Sequence, residues 1–133
     1  MDFNFDAHQY FQLADRSFLN IVRRDIGKVV EANGFTEAEV GRVSLVVTEM
    51  ATNLLKHAGA NGGELLVKPI CEENGKACGV ELLCLDNGPG MSDLARMMED
   101  GVSTYGSMGQ GLGAIKRQSD FFDIYSKPWP MLP

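Results

Sequence analysis

The sequence predicts a two-layer α+β sandwich in which helices cover one face of a sheet, and three observations point there. Two long stretches, residues 10–32 and 37–57, carry apolar residues close to helical spacing. Two shorter ones, 64–70 and 79–86, read as strands, and the Asn74-Gly75 pair between them is a hairpin signal. A glycine-rich region then enters a further helix, and the order helix, helix, strand, strand, helix, helix, strand suits segregated layers. A chain of 133 residues with 44% hydrophobic content supplies one core, so residues 1–133 are expected to form a single domain.

Each element has a local cause. In residues 10–32, Phe11, Leu13, Phe18, Leu19, Ile21, Val22, Ile26, Val29 and Val30 give the period of a long first helix, within an N-terminal strand-and-helix region 1–35; Asn33-Gly34 stops it. Thr36 and Glu39 then form a capping box, with Phe35 placed to staple onto Val40. A second helix is therefore expected from about Glu37 to about His57. Its buried face carries Val40, Val43, Val47, Met50 and Leu54, and Gly59 with Asn61-Gly62-Gly63 breaks it. The two strands follow as an antiparallel hairpin. After Asn87-Gly88-Pro89-Gly90 the sequence predicts a short helix over 92–99 capped by Ser92, a loop over 101–113, a helix over 112–119 and a last strand over 121–126.

Composition excludes several classes of function. A net charge of −6 and a pI near 4.8 argue against a nucleic-acid partner, which requires a clustered basic surface. Arg23, Arg24 and Lys28 make a local stripe on the first helix and read as a solvated face. Cys71, Cys78 and Cys84 have no C-x-x-C spacing, so neither a disulfide framework nor a zinc site is suggested, and Cys84 is expected to pack as a small hydrophobe. The first ten residues do not resemble a secretory signal, and no run of 18 apolar residues occurs. The expectation is a cytoplasmic protein with no membrane partner.

Three segments can carry chemistry. Glu49 and Asn53 are four apart on the second helix, so their side chains emerge one turn apart on the same side. A carboxylate and a carboxamide so placed suit a hard cation with phosphate oxygens, and Glu49 can instead act on a proton. Taken alone, the pair is a polar face of an amphipathic helix. In Asp86-Asn87-Gly88-Pro89-Gly90, an aspartate at a strand end can accept from an exocyclic amino group, while the glycines admit a flat ring. Alone, it is an ordinary turn. Gly106-Ser107-Met108-Gly109-Gln110-Gly111-Leu112-Gly113 enters a helix, where backbone N–H groups can cradle a triphosphate; it is neither a Walker sequence nor a dinucleotide fingerprint, and alone it is a flexible loop.

In this order the three segments resemble the boxes of the GHKL ATPases, over roughly residues 36–126. Asp100-Gly101-Val102-Ser103-Thr104-Tyr105-Gly106 before the glycine loop and Gly113-Ala114-Ile115-Lys116-Arg117 after it look most like the anti-sigma-factor serine/threonine kinases of partner-switching modules. The resemblance implies the Bergerat or histidine-kinase-like ATPase fold, with helices on one face of a mixed, mostly antiparallel sheet. It implies ATP and Mg2+ as cofactors, with Asn53 ligating the metal and Glu49 as the catalytic base toward a serine hydroxyl. Asp86 would hold adenine, with Gly88 and Gly90 shaping that pocket. Gly106, Gly109, Gly111, Leu112 and Gly113 would line the phosphates, with Lys56 approaching them. Phosphoryl transfer needs mainly positioning and charge neutralisation, which such a set supplies.

The implied partners are ATP or ADP and a STAS-type antagonist or scaffold protein as substrate, with a sigma factor, a phosphatase or a second copy in a homodimer also admitted. His57 reads as a helix end, and Ser103 and Thr104 either touch phosphate or make the lid turn. The chain departs from the family pattern at Lys127-Pro128-Trp129-Pro130-Met131-Leu132-Pro133, where a Gly-Thr step into a final strand is usual; three prolines do not suit a central strand. Residues 127–133 are thus expected to mark either a lost sheet edge or a link to a further domain. A non-catalytic, nucleotide-dependent binding module is the alternative function. A sensor histidine kinase fits less well, because His8 is the only histidine outside the nucleotide segments.

Overall fold

The chain enters as a strand, not a helix. In the computed structural model, which describes residues 8–57, 62–74, 77–86 and 111–126, Gln9–Leu13 forms strand β1. Phe11 and Leu13 turn inward while Tyr10 and Gln12 are exposed, the two-residue alternation of a strand with one covered face. The Asp15 carboxylate then accepts from the Ser17 N–H at 2.8 Å and from the Ser17 hydroxyl, which opens a 3-10 turn over Arg16–Phe18. Only at Leu19 does helix α1 begin, running Leu19–Ala32. The expected helix over 10–32 is thus corrected to a strand, a turn and a helix. Asn33 closes α1, its side-chain amide donating to the Val29 carbonyl at 2.7 Å.

Helix α2, Glu37–His57, starts at the expected capping box. The Thr36 N–H donates to Glu39 Oε1 at 2.9 Å and the Glu39 N–H donates to Thr36 Oγ1 at 3.2 Å. This exchange satisfies donors that the first helical turn leaves unpaired. Phe35 and Val40 both pack against the main core. Strands β2, Gly63–Cys71, and β3, Ala77–Asp86, form the expected antiparallel hairpin. Sheet order is β1-β2-β3, antiparallel throughout the described residues. Pro69 lies beyond the stretch of β2 that β1 covers, where its missing N–H costs no bond to β1.

The helices occupy one side of this sheet. Leu13, Leu65 and Val67 from the strands meet Val22, Ile26 and Val30 from α1 and Val47, Ala51 and Leu54 from α2, all nearly or wholly buried. Each of the leucines, valines and the isoleucine contributes roughly 1.5–3 kcal/mol through removal from water. Helix α3, Leu112–Gln118, builds a second cluster in which Val46, Leu112 and Ile115 are buried, bordered by Met50, Leu82, Phe122 and Ile124. The expected strand over 121–126 is not one. Phe122 and Ile124 pack inward while Phe121 and Tyr125 are 84% exposed, so the segment alternates like a strand without joining the sheet. The predicted helix over 92–99, the Asn87-to-Gly90 turn, residues 101–110 of the glycine loop and the proline-rich residues 127–133 lie outside the described residues. No helix among the described residues is long and apolar enough to cross a membrane.

Candidate functional site

The polar residues of α2 lie on one stripe. Positions 42, 46, 49, 53 and 56 recur at steps of four and three, so Arg42, Val46, Glu49, Asn53 and Lys56 follow one another along the helix. The first two fix what the stripe faces. Arg42 Nε donates to the Gln118 carbonyl at 2.6 Å and Arg42 Nη2 reaches Asp120 Oδ1 at 3.3 Å, at the C-terminal end of α3. Val46, one turn further on, is buried with Ile115 and Leu112. The two helices therefore run antiparallel. At about 1.5 Å per residue, the roughly 10 Å from Arg42 to Glu49 matches the roughly 9 Å from Gln118 back to Leu112. By this helix rise Glu49 comes level with the first turn of α3, and Asn53 lies one turn further along α2. Glu49, Asn53 and Lys56 are all half-buried.

The sheet brings Asp86 toward the same end. Leu13, Gly63 and Asp86 form one cross-strand row, and by the pleat Asp86 shares the helix-facing side with Leu82 and Cys84. The Cys84 thiol is pushed up to about 12, first by burial and then by the charge of Asp86, which is itself exposed at the end of β3. Cys84 packs against the main core, as expected of a small hydrophobe. Leu54, the neighbour of Asn53, lies on Gly63, the cross-strand partner of Asp86. A Cβ added at Gly63 would come within 2.7 Å of Leu54 Cδ2 and 3.0 Å of the Leu85 carbonyl oxygen. The absence of a side chain at Gly63 lets α2 descend on the end of the sheet that carries Asp86.

The third segment arrives at the start of α3. Gly111 holds φ 64° and ψ −140°, a backbone conformation that only glycine adopts without strain. Its carbonyl accepts from the Ala114 N–H at 3.2 Å and from the Ile115 N–H at 3.4 Å. The preceding N–H groups, of Leu112 and Gly113, belong to the first turn, whose donors have no intrahelical acceptor and suit phosphate oxygens. The Leu112 side chain is buried in the second cluster, so a contact from this residue to a ligand would come from its backbone. Gly88, Gly90, Gly106 and Gly109 lie outside the described residues, as do Ser103, Thr104 and the side chain of His57.

One carboxylate, one carboxamide and one ammonium group thus follow one another along α2, and a second carboxylate, Asp86, is exposed at the end of β3. Among the described residues no group of three or more His, Cys, Asp or Glu side chains could hold a metal ion by itself. Glu49 and Asn53 offer oxygen ligands from two side chains, a set that fits magnesium, which keeps waters and shares phosphate oxygens. Sequence reasoning missed Arg42. Its i−7 and i−11 spacing from Glu49 and Asn53 was visible, but its partners lie 76 and 78 residues away.

Comparison with known proteins shows the family to which the chain belongs. The model of the histidine kinase-like ATPase domain matches residues 13–128. The serine/threonine-protein kinase RsbT of Bacillus subtilis (strain 168) is 32% identical over 107 residues, covering 80% of this chain and 77% of that kinase. The chain therefore belongs to the histidine kinase-like ATPase domain family, within the GHKL superfamily and on its partner-switching kinase branch.

Proposed function

We propose that this chain is an ATP-dependent protein serine/threonine kinase of the anti-sigma-factor type, acting on a hydroxyl of a STAS-type antagonist or scaffold protein. The observation that carries this reading is the register of α2 on α3, because Glu49 and Asn53 follow Arg42 and Val46 along one stripe to the start of α3. Likeness to a kinase over most of both chains supports it.

In this reading Asp86 accepts from the adenine amino group, Gly88 and Gly90 shape the pocket, and the loop from Gly106 through Gly109 and Gly111 to Gly113 covers the phosphates. Asn53 would hold magnesium through its amide oxygen, and the metal supplies neutralisation of phosphate charge. Lys56 extends the stripe toward the same phosphates. The substrate hydroxyl oxygen forms a bond to the γ-phosphorus, the bond from that phosphorus to the β–γ bridging oxygen breaks, and ADP leaves with the electron pair. The hydroxyl proton passes to Glu49. Since the group transferred is already activated, positioning and electrostatics supply most of the acceleration.

The experiment is phosphotransfer from radiolabelled ATP to a STAS-domain protein encoded in the same genomic neighbourhood. Label should appear on a serine or threonine, and Glu49→Gln should cut the rate at least about a hundredfold, the usual scale for losing a general base, while nucleotide still binds. Tight ATP binding without any phosphorylated product would instead establish a non-catalytic nucleotide-dependent regulator.

A further inference from the structure

A directional tie between α2 and α3 lies away from the nucleotide segments. Arg42 is the first residue of the α2 stripe, and its Nε meets the Gln118 carbonyl at 2.6 Å. That carbonyl belongs to the last residue of α3, where unpaired carbonyls and the helix dipole concentrate negative charge. A charge-assisted bond from a planar guanidinium to such an oxygen is directional as well as attractive. The second contact, to Asp120 at 3.3 Å, is weaker, because Asp120 is 96% exposed. Between this tie and the stripe's polar end only Val46 intervenes, buried against Leu112 and Ile115. To that packing the hydrogen bond adds a directional fixed point, pairing one carbonyl at the end of α3 with one residue of α2.

We infer that Arg42 is a positioning residue that sets the register of α3 on α2, and through it the placement of the glycine-led start of α3 against Glu49 and Asn53; this rests on the nucleotide-binding reading above. Arg42 touches no nucleotide. Its loss lets α3 shift, so the phosphate end of the site loosens, while the adenine end, built from β3 and Asp86, is held by the pairing of β3 with β2, although Leu82 of β3 borders the α3 cluster. The signature is therefore selective: affinity for the triphosphate falls and affinity for a nucleotide lacking the β- and γ-phosphates does not.

The test measures binding of Mg-ATP by calorimetry and of AMP by competition against a fluorescent ATP analogue, for wild type, Arg42→Ala, Arg42→Lys and Asp120→Asn. For Arg42→Ala the Kd for Mg-ATP should rise about tenfold, with AMP changed less than about twofold, as expected when only the oriented phosphate end is lost. Arg42→Lys retains one charged donor toward the Gln118 carbonyl and should fall between the two, and Asp120→Asn should stay within about twofold of wild type. Equal weakening of ATP and AMP by Arg42→Ala would mean general loosening and overturn the inference, as would wild-type affinity for both. If Arg42→Ala proves unstable, an unchanged ratio of ATP to AMP affinity in Arg42→Lys overturns it too. Wild-type protein that binds no Mg-ATP would instead remove the nucleotide reading itself.

Discussion

Cys84 reports the field around Asp86. Burial and the neighbouring carboxylate both disfavour its thiolate, so at pH 8 it stays protonated and poorly nucleophilic, whereas Cys78 on the same strand is exposed. Iodoacetamide at pH 8 should label Cys78 in the folded protein within minutes and Cys84 only after unfolding, as peptide mapping will read; Asp86→Asn should speed the labelling of Cys84. Glu39 gives a second titratable probe. Its hydrogen bonds from the Thr36 N–H and hydroxyl, with a smaller contribution from Arg42, hold its carboxyl below the ordinary glutamate range. A depressed folded pKa means the stabilisation is present in full above the unfolded value and is lost as pH falls through the folded one. The melting temperature of wild type should therefore exceed that of Glu39→Gln by a constant margin above pH 5, and the margin should close as the pH drops below about 4.5. A margin that persists at pH 3 would show that the ionised carboxylate is not what caps α2.

Among the elements, α2 was legible in the sequence because its cause is local. The capping box, the apolar period and the glycines beyond His57 all lie within or beside the helix. Strand β1 was not, because Phe11 and Leu13 fit a helical period with Phe18 and Leu19 as well as they fit alternation. Only pairing with β2, as in Phe11 opposite Leu65, decides between them. Residues 121–126 mislead in the opposite sense: their alternation is real, but alternation records which side faces the core, not whether a neighbouring strand bonds. The seam between helix and sheet at Leu54 and Gly63 was equally hidden, since two residues nine apart become a contact only once α2 packs on β2. Gly63→Ala should cost about 1–3 kcal/mol by overpacking, measured by urea denaturation. Combined with Leu54→Ala, which opens the space, it should cost clearly less than the sum of the two single changes. Strict additivity would mean that Leu54 does not fill the space above Gly63.

For the molecule as a whole, the proposed function requires segments far apart in sequence to meet at one end of the helix layer. Spacing alone proposes the Glu49–Asn53 pair and a turn chemistry after Asp86. The distance along α2 at which α3 docks could not be read that way, because it depends on Arg42 and Val46 meeting residues some 70 positions later. A ligand that bridges these segments binds only the folded state, so it must stabilise the domain by mass action. The most direct measurement is the melting temperature with and without saturating Mg-ATP, for wild type, Asn53→Ala and Asp86→Asn. At a hundred times Kd the stabilisation is about 2.7 kcal/mol, which for a domain of this size is a rise on the order of 5–10 °C. The account predicts that rise in wild type and its near disappearance in both variants. No rise in wild type, or an equal rise in all three proteins, would contradict it.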